Sequence, residues 1–334
     1  MQPTVSIIVP CFNEQATIGA LLDAIHQQTY PRDRLEVVIA DGLSDDGTRA
    51  AVARFQHEHP TPAVRVIDNP IRTIPAGLNL AIREARGEIL VRLDAHSAPI
   101  PEYVERCVRD LEVGRGSNVG GVWTIVPGGH GWIPEGIAAA AGHPLGAGDA
   151  RYRLGGEARA VDTVPFGAFR RMLVAEIGEF DESLLTNEDY EFNVRIRKHG
   201  GVVWMDPEIR STYVARSTLK GLAAQYWRYG FWKLRMLIRH PATLRWRQAL
   251  PPVFVLTVIG LLLAGVFWRP AVLILAAIIL VYLVVLTAAG IQLGLRHRKP
   301  SLVPGSMLAF ATMHLGWGAG FWASLLTRGL ERNG

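Results

Sequence analysis

The sequence predicts an α/β fold: a mostly parallel mixed sheet flanked by helices, followed by a C-terminal helical transmembrane region. Three observations carry this. Short apolar runs alternate with helix-periodic segments through the first half. Polar, carboxylate-bearing motifs stand where those runs end. The last third holds three long stretches without Asp, Glu, Lys or Arg, at 248–268, 270–295 and 300–327.

The elements follow in order. VSIIVPCF (5–12) reads as a first strand, and its start lacks the basic region of a signal peptide. In NEQATIGALLDAIHQQ (13–28), Ile18, Leu21, Leu22 and Ile25 recur at helical spacing. LEVVIADG (35–42) and AVRVIDN (63–69) give two more strands. IPAGLNLAIREAR (74–86) gives a helix, and GEILVRLDAH (87–96) a fourth strand. In such sheets ligands bind beyond the carboxyl ends of the strands. Asp41 and Asp94 both stand at such ends, so they should face one crevice. No GxGxxG follows the first strand; Pro10, Asn13 and Glu14 occupy that turn instead. This disfavours a nicotinamide-binding domain, and the absence of GxxxxGK[ST] excludes a P-loop. Cys11 and Cys107 have no metal-spaced partners and read as reduced core residues.

Charge divides the chain. Residues 1–208 hold 29 acids and 20 bases, a formal charge of −9. Residues 209–334 hold one acid and 15 bases, +14, which leaves the net +5. A basic half with a single acid suits nucleic acid or an anionic membrane, and the hydropathy favours membrane. Each uncharged stretch reaches the ~20 residues that cross a bilayer core. The spans are expected at about 250–268, 271–295 and 301–326. The last, rich in small residues and carrying His314, spans or is re-entrant. Arg239, Arg245 and Arg247 precede the first span, and RHRK (296–299) follows the second. That bias places the N-terminal half in the cytoplasm and the protein in the inner or plasma membrane as a multi-pass protein. The C-terminus would lie outside if the third stretch crosses, a step that Arg328 and Arg332 weaken. LKGLAAQYWRYGFWKLRMLIRH (219–240) mixes bases with aromatic rings, as an interfacial helix would. The expected layout is a catalytic domain over 1–217, an interfacial segment over 218–247 and a transmembrane region over 248–334.

Four motifs carry the chemistry. In ADGLSDDGT, Asp41 could accept hydrogen bonds from a nucleobase or ribose; a plain turn explains the pattern equally well. In LDAHS, either Asp94 and His96 share a strand face and could ligate a divalent cation that bridges two phosphates, or His96 is a loop histidine and only Asp94 is functional. In TNEDYEF, Thr186 or Asn187 can cap a helix. Glu188 and Asp189 are then either a capping pair or a general base in a cleft. In QYWRY, Gln225 and Arg228 share a helix face. Arg228 could hold a phosphate, and Trp227 or Tyr229 could stack on a sugar. Arg170 and Arg171 are a further candidate anion contact.

PCFNE, DG with SDDGT, LDAH, FGAFRR with IGEFDE, NEDYEFNVRIRKHGG and QYWRY stand in the order found in family 2 glycosyltransferases of the GT-A fold. The resemblance covers roughly residues 4–235 and is strongest to the succinoglycan-biosynthesis, ExoA-like, membrane-anchored branch. It implies an inverting, metal-dependent enzyme using a nucleotide-diphospho-sugar, with UDP or GDP as the nucleotide. Pro10, Asn13, Glu14 and Asp41 would then bind the nucleotide sugar, and Asp94 with His96 would hold Mn²⁺ or Mg²⁺. His96 stands where the metal motif usually has a second Asp. Asp189 would deprotonate the acceptor with support from Glu188. Gln225, Arg228 and Tyr229 match a QxxRW-like element, with Tyr229 in place of Trp. The implied acceptor is a saccharide on a polyprenyl diphosphate in the membrane, and no nucleic acid is involved. Two rival readings are a polyprenyl-phosphate-sugar synthase and a non-catalytic scaffold of a polysaccharide assembly complex.

Overall fold

The computed structural model describes residues 2–332. The chain forms two compact units: Met1–Thr124 with Ala150–Tyr213, and Ile125–Asp149 with Val214–Gly334.

The first unit is built on strands β1 (Val5–Cys11), β2 (Leu35–Asp41), β3 (Ala63–Asp68) and β4 (Ile89–Arg92). β1 pairs in parallel with β2 and β4, and β2 in parallel with β3. The helices between them are α1 (Ile18–His26), α2 (Thr48–Glu58) and α3 (Ile74–Glu84). After the short strand β5 (Ala98–Pro99) come α4 (Tyr103–Glu112) and β6 (Asn118–Val126). The helices α5 (Trp132–Ala141) and α6 (Pro144–Ala147) follow in the second unit. Then come α7 (Arg151–Leu154), β7 (Arg159–Ala160), β8 (Ala168–Arg170), α8 (Arg171–Ile177), α9 (Glu188–Lys198) and β9 (Val203–Val214). The nine-stranded sheet runs β3-β2-β1-β4-β8-β6-β9-β5, with β7 also on β9. β8 is antiparallel to β4 and β6, so the sheet is mixed, as predicted.

Alternation along β1 sets the two faces. Val5, Ile7 and Val9 pack with Ile18, Leu21, Leu22 and Ile25 of α1. Ile8 packs with Leu78, Ala81 and Ile82 of α3 and with Phe192 and Ile196 of α9. A strand buried on both faces has no solvent side, which explains why β1 is apolar apart from Ser6, itself buried and donating to Glu36.

The second unit is helical: α10 (Leu219–Arg239), α11 (Trp246–Gly265), α12 (Arg269–Arg296) and α13 (Leu302–Arg332). Two of the three expected spans are long and apolar enough to cross a membrane, Arg247–Gly265 and Arg269–Arg296. The third corrects the reading: α13 is long, but Gly, Ser, Thr and His dilute its apolar character. Its glycines instead admit neighbouring backbones. A side chain on Gly320 would strike the Trp227 backbone of α10, and one on Gly230 of α10 would strike Trp317. Small-residue contacts of this kind pack helices closely. His314 is satisfied within the unit: Nε2 donates to the Leu145 carbonyl at 2.9 Å, and Nδ1 accepts from the Tyr282 hydroxyl at 3.0 Å. The side chains of Arg328 and Arg332, used above for orientation, lie outside those described.

Candidate active site

The parallel strands end side by side, and their loops interlock. Cys11 lies level with Asp41, and Asp41 with Asp68. Asn13 takes a left-handed backbone, φ 53°, which Asn tolerates. Its N–H donates to Ser44 Oγ at 2.8 Å and its amide to Asp45 at 2.8 Å, while Asp45 N–H donates back at 3.1 Å. Glu14 N–H donates to Thr48 Oγ1 at 2.8 Å. Pro10 is buried at the end of β1. Asp41 is 1% exposed: it accepts from Ser44 Oγ at 2.5 Å, Ser44 N–H at 3.1 Å and Arg49 Nε at 2.5 Å. Its carboxylate shapes the 41–48 turn from beneath. Burial, then the Asp41, Glu14 and Asp46 carboxylates, push the Cys11 thiol up to about 12, so it stays protonated.

Two residues of this edge were missed in the sequence. Phe12 is 46% exposed, and the Arg72 guanidinium lies 5.7 Å from its ring centroid. An open aromatic face beside a guanidinium can stack a flat heterocycle. An exposed aromatic in a turn after a buried strand was the available signal.

The LDAHS geometry differs from expectation. The strand ends at Arg92, and Asp94–Ser97 form a turn in which Ser97 N–H donates to the Asp94 carbonyl at 2.9 Å. Asp94 and His96 therefore do not share a strand face. Asp94 Oδ1 accepts from Arg92 at 3.3 Å, and His96 Nδ1 lies 3.0 Å from Glu14 Oε1. Burial raises the Glu14 carboxyl, but hydrogen bonds from His96 and Thr17 outweigh it and hold it below its ordinary value.

Glu188 and Asp189 open α9. Asn187 holds the N-cap position at φ 71° without a side-chain cap, so the expected cap is not formed. Asp189 instead accepts the Tyr190 N–H at 2.7 Å. Glu188 is buried and accepts from Arg92 at 2.9 Å. Burial raises both carboxyls, opposed by Arg92; Glu188 reaches about 7, with the Asp189 charge adding to its rise. The helix is pinned from below. Asn193 accepts from Asn118 at 2.7 Å and donates to Thr163 at 3.0 Å. Arg195 donates to the carbonyls of Ile177, Gly178 and Glu179.

Sequence reasoning also missed Arg92, although a lone charge inside ILVRLD was visible. It missed an aromatic group too. Trp123 and Tyr213 stack at 4.2 Å, Tyr152 meets Trp123 edge-on, and Arg153 lies over all three rings. Burial and the Asp189 carboxylate raise the Tyr152 phenol against Arg153.

Other candidates lie elsewhere. Arg170 donates to Glu112 and Arg171 to the Ala85 carbonyl. Because β8 is antiparallel, Arg170 pairs with Ile89 at the opposite end of β4 from Asp94, so neither arginine joins the edge. Gln225, Arg228 and Tyr229 belong to α10 in the second unit: Gln225 is buried and donates to the Tyr229 hydroxyl at 3.1 Å, and Arg228 is exposed.

Among the described residues no three His, Cys, Asp or Glu side chains converge as a ready metal cage. Asp94 and His96 are both accessible and offer one carboxylate and one imidazole. That donor set fits Mn²⁺ or Mg²⁺ when substrate phosphate oxygens complete the shell. The Glu14 contact is the kind that orients a ligating histidine.

The family model "Glycosyl transferase family 2" matches residues 6–178. The chain is 34% identical to the succinoglycan biosynthesis protein ExoA of Rhizobium meliloti (strain 1021), over 96% of this chain and 94% of that protein. A dolichyl N-acetyl-alpha-D-glucosaminyl phosphate 3-beta-D-2,3-diacetamido-2,3-dideoxy-beta-D-glucuronosyltransferase of Methanococcus voltae is 25% identical, over 92% of each chain. Among solved structures, the mannosyltransferase PcManGT from Pyrobaculum calidifontis, in complex with GDP-Man and Mn²⁺, superposes with a TM-score of 0.68 at 23% identity. The match covers 98% of this chain and 88% of that one.

Proposed function

The chain belongs to glycosyl transferase family 2, and from that premise we propose that it moves a sugar from a nucleotide-diphospho-sugar to a lipid-linked saccharide in polysaccharide biosynthesis, with inversion. The observation that carries this reading is the meeting of Asp94 and Glu188 on Arg92 at the carboxyl edge of the parallel strands, with Asp189 next to Glu188 in the first turn of α9. The full-length similarity to a succinoglycan biosynthesis protein and to a dolichyl-linked transferase supports a lipid-linked acceptor.

The donor's base stacks on Phe12 under Arg72, and its ribose meets the turn that Asp41, Asn13 and Ser44 shape. The GDP-Man complex of the structural neighbour favours a purine nucleotide as readily as UDP. Asp94 and His96, backed by Glu14, would hold the divalent cation, whose charge supplies stabilisation of the departing diphosphate. Asp189 accepts the proton of the acceptor hydroxyl, which attacks the anomeric carbon from the face opposite the leaving group. Its raised carboxyl makes it a stronger base than an exposed aspartate.

The domain layout follows: catalysis within 1–217, an interfacial segment over 218–247 carrying Gln225, Arg228 and Tyr229, and membrane contact over 248–334. Arg247–Gly265 and Arg269–Arg296 cross as a hairpin, so the basic RHRK loop and the N-terminal half share the cytoplasmic side. The test is nucleotide release from UDP- and GDP-sugars by the detergent-purified protein, with and without Mn²⁺ and bacterial lipid extract. Release stimulated by both additions supports the reading; no release from folded protein with any donor overturns it.

A further inference from the structure

We infer that Arg92 is a positioning residue for transfer: its guanidinium ties the Asp94 turn to the first turn of α9, so that the donor-side carboxylate and the proton-accepting carboxylates keep one geometry. This inference rests on the roles given above to Asp94 and Asp189.

Arg92 ends β4, after Ile89, Leu90 and Val91, all fully buried. It is itself 7% exposed, and arginine is rarely this buried unless paired. One terminal nitrogen donates to Glu188 Oε1 at 2.9 Å and to Asp94 Oδ1 at 3.3 Å. Glu188 lies 96 residues further along the chain, so this single group joins two motifs that share no local structure. Its backbone N–H is used separately, on the Gly167 carbonyl at 3.0 Å, and fixes the strand without the side chain.

The remaining nitrogens sharpen the argument. Nε and the other terminal nitrogen are buried without a hydrogen-bond partner. A buried ion pair optimised for stability satisfies its donors, and an apolar side chain of similar volume often serves stability better. Arg92 instead pairs with two carboxylates, Asp94 and Glu188, and Asp189 follows Glu188 in the same first turn of α9. The arrangement spends stability to hold acidic groups at a fixed spacing. The planar guanidinium suits this because its rigid plane fixes where that terminal nitrogen sits, whereas a lysine ammonium is a flexible point charge.

The test compares full-length Arg92→Lys and Arg92→Met with wild type in detergent. Mn²⁺ binding in the presence of nucleoside diphosphate is followed by electron paramagnetic resonance, beside kcat, donor KM and melting temperature. Arg92→Lys keeps the buried charge. It is expected to melt within a few degrees of wild type and to bind Mn²⁺–nucleotide within about threefold. Its kcat should fall roughly a hundredfold, the loss typical of a small misplacement of reacting groups. Combined with Glu188→Gln, it should cost little more than Glu188→Gln alone, because both act through one contact. Should Arg92→Met fail to fold, the double variant Arg92→Met/Glu188→Gln removes both buried charges and is expected to fold with the same low kcat. A lysine variant with normal kcat, or one whose kcat per folded molecule is unchanged while its melting temperature drops, overturns the inference. Fully additive losses with Glu188→Gln also overturn it. Failure of wild type to release nucleotide from any donor strikes the proposed function instead.

Discussion

Replacing Asn193 with alanine tests how the fold holds its catalytic helix. Asn193 is 1% exposed and sits one turn below Glu188 and Asp189. Its amide bridges Asn118 at 2.7 Å and Thr163 at 3.0 Å, from two other segments. Truncation strands the Asn118 amide and the Thr163 hydroxyl, both buried. Each stranded group costs about 1–3 kcal/mol, so the pair should cost about 3 kcal/mol. At roughly 2–4 °C per kcal/mol, the melting temperature should fall by about 6–12 °C. Intrinsic fluorescence of the solubilised protein during a thermal ramp reads this directly. Transfer activity should fall with it, since α9 carries both acidic residues. A shift below about 1 °C would show that the buried amide chain does not anchor the helix.

Two further outcomes follow from the same geometry. Glu188 and Asp189 are both held above the usual carboxylate range, so the ionised base forms only as pH rises. The kcat should climb as pH rises toward and through about 7, the value for Glu188, as the pair loses its proton; a flat profile there contradicts the base assignment. Gly230→Leu should prevent α10 from meeting α13, because the added side chain runs into the Trp317 backbone. Size-exclusion chromatography should show aggregate for it but a normal peak for Gly19→Ala, where a Cβ meets nothing.

What was legible in the sequence depended on range. The first strands could be read because Val5, Ile7, Ile8 and Val9 are buried on both faces and leave a run that is apolar apart from Ser6. The gathering of Asp41 and Asp94 at one edge followed from parallel pairing alone. The link between Asp94 and Glu188 did not, because it passes through Arg92 across 96 residues. The shared-face argument for Asp94 and His96 failed because the strand stops at Arg92 and a turn re-aims both side chains. The third apolar stretch looked like a span because its glycines count as neutral in a hydropathy sum. Their use, admitting the Trp227 backbone of α10, is visible only with the partner helix present. Nothing local marked 125–149 as part of the second unit, since its Ala-rich helix α5 resembles any other.

The central claim is that Asp189 activates an acceptor hydroxyl for attack on a nucleotide sugar. The most direct measurement is single-turnover transfer by Asp189→Asn beside wild type, using the donor and lipid extract that support release, with donor affinity measured in parallel. The account predicts transfer reduced at least a hundredfold, roughly the contribution of a positioned general base, with donor affinity retained. Transfer within a few-fold of wild type by the folded variant would contradict it.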